Sequence, residues 1–137
     1  MLVNTKPFFV VSEAIPANLS MGDETCPGVA SPVTFTLSIN DAPNGLASFG
    51  FRIAYDNAIL TYGSFSNIVG VSGLFVSDQT TYLQVSGYDF SSTVPTGFTG
   101  TFMTISFTTI SCTATTLVLS NTIDDMSGWT LKAGNFA

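Results

Sequence analysis

Phe49-Gly50-Phe51-Arg52-Ile53-Ala54-Tyr55-Asp56-Asn57-Ala58-Ile59-Leu60 joins a strand pattern to a turn pattern. Alternation puts Phe49, Phe51, Ile53 and Tyr55 on one face of an extended strand and Ser48, Gly50 and Arg52 on the other. Asp56 is then placed to accept backbone N–H bonds from a short turn, after which Ile59 and Leu60 return to the interior. The stretch reads as a core strand closed by a turn.

The flanking sequence repeats the pattern. Val33 to Ile39 alternates without a fault, with Val33, Phe35, Leu37 and Ile39 inward and Thr34, Thr36 and Ser38 outward. Asp41-Ala42-Pro43-Asn44-Gly45 supplies a turn in which Asn44-Gly45 suits positive φ. Thr81 to Ser86 places Leu83 and Val85 inward and Tyr82 and Gln84 outward, with Tyr88 continuing the outward set. Thr101 to Phe107 gives Met103, Ile105 and Phe107 to the core, which leaves Phe102, Thr104 and Ser106 outward. Phe8 to Ser12 is expected to form a first strand, residues 18–32 a turn-rich connection, and residues 60–62 and 70–76 shorter extended pieces. Residues 116–119 and 129–133 supply closing strands separated by Asn121-Thr122-Ile123-Asp124-Asp125, and Trp129 shares parity with Leu131 and reads as buried. Strands at this spacing, with no helix of useful length, predict an all-β antiparallel sandwich or jelly roll spanning residues 1–137 as one domain.

Composition agrees and removes several functions. Only 9% of the 137 residues are charged while 45% are hydrophobic, the balance of half-buried strands with hydroxyl-bearing outer faces. A net charge of −6 repels polyanions, so no nucleic-acid partner is expected. No apolar run approaches the ~20 residues needed to cross a bilayer, so no membrane insertion is expected. Met1-Leu2-Val3-Asn4-Thr5-Lys6-Pro7 does not read as a secretory signal, which an upstream region of a longer parent would have to supply. Cys26 and Cys112 lack the spacing of zinc or redox sites, and a disulfide is their simplest pairing, the alternative being two separate buried thiols. Such usage favours an extracellular or cell-surface setting.

Catalytic chemistry has little to work with. The absence of His excludes Ser-His-Asp, Cys-His and His-ligated zinc sites. A glycosidase needs two facing carboxyl groups, one with a raised pKa, whereas Asp23-Glu24 and Asp124-Asp125 are adjacent turn residues. No cofactor and no metal site is expected. Calcium is the one metal this composition suits, through Asp56-Asn57, Asp89 or Asp124-Asp125, yet no EF-hand spacing occurs. Asn18-Leu19-Ser20 matches a glycosylation acceptor triplet.

The order of these motifs resembles that of cohesin domains. Gly22-Asp23, the Val33 to Ile39 strand, Pro43-Asn44-Gly45, Tyr55-Asp56 with Leu60, Leu83 to Tyr88, Gly100 to Phe107 with Ile105-Ser106-Phe107, and Leu117 to Leu119 follow that family's sequence of strands and turns over residues 8–137. The resemblance implies a nine-stranded jelly roll with the two cysteine-bearing turns at one end of the sandwich. It implies a non-catalytic recognition module that holds a dockerin-like helical partner on the outer face of one sheet, in an assembly of polysaccharide-related proteins, and that is monomeric in isolation. The face expected to hold the partner carries Ser48, Gly50, Arg52, Tyr82, Gln84, Tyr88, Phe102 and Thr104, although the Asp and Asn familiar from dockerin contacts are missing from the Phe49 strand. The alternative is a carbohydrate-binding module of similar fold, with polysaccharide as partner and Tyr82, Tyr88 and Phe102 forming part of a stacking platform.

Overall fold

The computed structural model describes residues 16–137; the strand expected over Phe8 to Ser12 lies outside them. Ten strands follow in chain order: β1 Leu19–Met21, β2 Pro32–Ile39, β3 Ser48–Ala54, β4 Leu60–Ser66, β5 Gly73–Asp78, β6 Tyr82–Tyr88, β7 Gly100–Thr109, β8 Thr115–Asp124, β9 Leu131–Lys132 and β10 Gly134–Phe136. They form two five-stranded sheets, β4-β7-β2-β1-β9 and β10-β8-β3-β6-β5. All pairings are antiparallel except β1 with β9. The all-β sandwich expected from the sequence is the observed architecture, with ten strands among the described residues where nine were expected for the chain.

Alternation determines which side chains fill the space between the sheets. Phe35, Leu37 and Ile39 from β2 meet Phe49, Phe51 and Ile53 from β3, all essentially without solvent contact. Aromatic rings link the two sheets: Phe49 lies edge-on to Phe102 at 5.5 Å, and Tyr55 packs on Phe107 at 5.2 Å. Burying each such side chain contributes about 1.5–3 kcal/mol. Tyr55 also donates its hydroxyl to Asp78 Oδ1 at 2.6 Å, tying the end of β3 to the end of β5. Burial first, and then the neighbouring Asp78 carboxylate, push the Tyr55 pKa upward and keep its proton in place.

Asp56 behaves as expected. Its carboxylate accepts the Ala58 N–H at 2.9 Å, and its carbonyl accepts Ile59 N–H and Leu60 N–H. Cys26 and Cys112 are joined in a disulfide, with Cα atoms 5.5 Å apart. The bridge links the chain entering β2 to the chain leaving β7, two strands already paired from Pro32↔Thr108 to Ile39↔Gly100.

Several local expectations need correction. Residues 19–21 form a strand inside the region read as a turn-rich connection, because Leu19 and Met21 are fully buried and pair with Ile39 and Leu37. Strand β8 runs through Asn121 to Asp124, a stretch read as a separator, and Trp129 is buried but belongs to no strand. Asn44-Gly45 does not take positive φ. The Asn44 side chain instead donates to the Asp125 carbonyl at 2.7 Å and accepts from Trp129 Nε1 at 3.3 Å, which ties this turn to the closing segment.

Candidate functional site

The outer faces of the two sheets differ in chemistry. On the β4-β7-β2-β1-β9 sheet, outward positions are hydroxyls: Ser64 and Ser106 with Thr34, and Ser66 and Thr104 with Thr36, stand in cross-strand rows. Thr34 and Ser106 share a 2.8 Å hydrogen bond. The β10-β8-β3-β6-β5 sheet presents rings and branched chains instead. Among the described residues, eight large hydrophobic side chains are exposed, and Phe75, Tyr88, Phe90, Val118 and Ile123 from this sheet and its rim account for five of them.

Register builds this second face row by row. At one end Tyr88 stands opposite Ser48 on β3 and Gly73 on β5, and the glycine gives the Tyr88 ring its room, since a Cβ there would overlap it. Phe90, 87% exposed, packs its ring against Tyr88 at 5.1 Å. The next row is Phe75, Ser86, Gly50 and Ile123, the one after it Ser77, Gln84, Arg52 and Ser120, and the last Tyr82, Ala54 and Val118. In the third row the Arg52 guanidinium lies 4.4 Å from the Tyr82 ring centroid, and its Nε donates to Gln84 Oε1 at 3.1 Å. Stacking and hydrogen bond together hold the cation in place at the centre of the face.

Two irregularities shape the face. Opposite the single residue Phe51, β8 carries two residues, Asn121 and Thr122, with Asn121 at φ 54° inside the slip and Asp124 at φ 55° beyond it. A β-bulge of this kind re-aims side chains. Here it turns Ile123 outward over Gly50, where a Cβ would stand 3.0 Å from Ile123 Cδ1. The second device is Asp89, buried between Tyr88 and Phe90. Its carboxylate accepts Ser72 Oγ–H, Ser91 N–H and, at 2.6 Å, Thr93 N–H. Burial raises its pKa, but the backbone N–H groups of Thr93 and Ser91 and the Ser72 hydroxyl outweigh burial and hold it at about 2.

Of the residues expected on one face, Ser48, Arg52, Tyr82, Gln84 and Tyr88 share it, and Gly50 shares it from beneath Ile123. Phe102 and Thr104 do not. Phe102 is fully buried against Phe49 and Phe51, because Leu37↔Met103 is followed by Ser38↔Thr101 and the skipped residue folds inward with Met103. Thr104 lies on the hydroxyl face of the opposite sheet. Phase counting missed Phe75, Phe90, Val118 and Ile123. The Phe75-Val76-Ser77 alternation carried a signal for the first; Phe90 and Ile123 lie where the pattern breaks.

The polar candidates are engaged structurally. A cleft of about 420 Å³ beside the face is lined by Asp89 and Asp125, among others. Asp125 accepts Ser48 N–H and Ala47 N–H, which lower its pKa against the effect of burial. Two carboxylates held ionised supply no general acid. Asn18 donates to the Asn40 and Asp41 carbonyls and accepts from Thr130, so its side chain is a structural clasp. No group of three or more His, Cys, Asp or Glu able to hold a metal occurs among the described residues.

No protein-family model matches the sequence, and no curated protein is significantly similar to it. Solved structures are similar in fold. The seventh ScaB type I cohesin from Pseudobacteroides cellulosolvens superposes with a TM-score of 0.72 at 14% identity, over 88% of this chain and 90% of that one. The sixth cohesin from scaffoldin B of Acetivibrio cellulolyticus, in complex with a Cel5 dockerin mutant, gives 0.70 at 18% identity, over 89% and 98%. A non-cellulosomal cohesin from the hyperthermophilic archaeon Archaeoglobus fulgidus gives 0.70 at 15% identity, over 89% and 90%. The fold of this chain is the fold of cohesin domains.

Proposed function

We propose that this chain is a non-catalytic recognition module that captures a dockerin-type helical partner on the outer face of the β10-β8-β3-β6-β5 sheet, in an extracellular or cell-surface assembly of polysaccharide-related proteins. The observation that carries the reading is the asymmetry of the sandwich: one outer face is hydroxyl, and the other gathers Phe75, Tyr88, Phe90, Val118 and Ile123. Exposed apolar groups clustered around a few oriented polar ones are what a partner surface needs. The aromatic anchors give contact area, and Arg52 and Gln84 give orientation. The cohesin structure similar in fold and solved with a dockerin supports the choice of partner class.

Adjacency of the Tyr88 and Phe90 rings is the one feature favouring the polysaccharide alternative, but their planes are inclined by 44° and form no flat platform. Retention assays separate the two. The full chain is passed over immobilised dockerins and over insoluble cellulose and chitin. Capture by a dockerin, lost in the Phe75→Ser, Phe90→Ser double variant while the melting temperature holds, is the expected result. Retention on polysaccharide alone would replace the reading with carbohydrate binding.

A further inference from the structure

Arg52 is one of only three Lys or Arg residues in a chain of net charge −6, and it stands in the middle of the candidate docking face. Its guanidinium carries five N–H donors. One is spent on Gln84, and the ring of Tyr82 covers a face of the plane without accepting an N–H in it. The only ion pair among the described residues joins Lys132 to Asp23. Acids at the ends of the face are engaged with other partners, Asp78 with Tyr55 and Thr80 and Asp124 with Ser48. A half-buried guanidinium held against the Tyr82 ring, with donors to spare, suits a planar, bidentate acceptor, which a carboxylate supplies.

The surroundings of Arg52 give the spacing. Outward rows on a strand repeat every ~6.7 Å. The row holding Phe75 and Ile123 is one step from Arg52 on one side, and the row holding Tyr82 and Val118 is one step away on the other. A helix lying along the strands rises ~6 Å over four residues and ~12 Å over eight. Positions i, i+4 and i+8 therefore fall over apolar, cationic and apolar rows in turn.

We infer that the partner of this face is an α-helix presenting an Asp or Glu carboxylate to Arg52, with apolar side chains about one turn before and after it. This inference rests on the docking reading above and names the chemistry of its partner. The acidic bulk of the chain would repel such a helix at a distance, so the selectivity sits in the one basic spot that the face provides.

The test uses the full chain and a panel of dockerins, with affinities from titration calorimetry. For a dockerin that is captured, each helical Asp and Glu is changed to Lys in turn. Arg52→Gln is expected to weaken binding about tenfold and Arg52→Glu about a hundredfold, and one of the Lys variants should bind Arg52→Glu better than it binds the native chain. The difference in affinity between the native chain and Arg52→Glu should shrink as salt rises, because salt screens the charge at this one spot. If Arg52→Glu binds as the native chain does, or no acidic position exchanges preference, the acidic partner is overturned while loss of capture in Phe75→Ser, Phe90→Ser keeps the docking face. If no dockerin binds the native chain, the docking reading fails and the acidic partner goes with it.

Discussion

Asp89→Asn separates the support of the docking face from the face itself. The carboxylate is buried, and Asn keeps its shape while turning one acceptor oxygen into a donor that must face Thr93 N–H, or else Ser72 and Ser91. Because the folded pKa of about 2 lies below the ordinary 3.8, ionised Asp89 stabilises the fold. The contribution is fully present above pH ~4 and is lost as pH falls through ~2. A depression of that size corresponds to about 2 kcal/mol. Opposed donors in the Asn variant add about 1–3 kcal/mol. At neutral pH the variant should therefore be less stable by about 3–5 kcal/mol, or roughly 10–17 °C in melting temperature.

Trp129, buried and the only tryptophan, reports unfolding in urea. The gap between native chain and variant should narrow by about 2 kcal/mol between pH ~5 and pH ~1.5, as the native carboxylate takes up its proton. A gap under about 0.5 kcal/mol at neutral pH, or one that keeps its size into acid, would refute the assignment of Asp89 as an ionised pin for the Ser72 and Ser91 to Thr93 backbone. Phe90 follows Asp89 directly, so partner capture should weaken with the pin even though no contact residue has changed.

Phe102→Ala should cost about 3–5 kcal/mol in chemical denaturation, whereas Tyr88→Ala should stay near 0.5 kcal/mol; comparable losses would mean that Phe102 is not the core member of the pair. Replacing Cys26 and Cys112 together by Ser should lower stability by up to about 4.6 kcal/mol, the chain-entropy ceiling for a closed loop of this length, with a matching drop when the native chain is reduced. An unchanged melting temperature under reduction would show that the bridge constrains little of the unfolded chain.

The fold was legible where side-chain parity runs unbroken. Val33 to Ile39, Phe49 to Tyr55 and Leu83 to Val85 each announce a buried face, and each is buried as its alternation demands. Short elements gave no such signal. Leu19–Met21 has room for only two inward side chains, and Gly134–Phe136 reads as a tail until Phe136 is seen packed on Phe35. Turn chemistry misled at Asn44 for a different reason: its amide is used by Asp125 and Trp129, partners 81 and 85 residues away, and that outweighs local preference.

The candidate site was less legible because it is made where parity slips. A register shift costs the strand one residue and reverses the facing of everything beyond it. The slip between Leu37 and Ser38 takes Phe102 from the expected surface into the core, where it meets Phe49 and Phe51. The slip opposite Phe51 acts in the other direction, bringing Ile123 out to fill the hollow above Gly50. A strict alternation would have left this face with a dent at position 50 and put the Phe102 benzyl group on the hydroxyl face of the other sheet. The slip in the opposite sheet returns that benzyl group to the interior, while the bulge on β8 supplies an apolar knob in the row beside Arg52, so the irregularity that hides Ile123 from phase counting also gives the docking face the mixed apolar and cationic character that the proposed acidic helix requires.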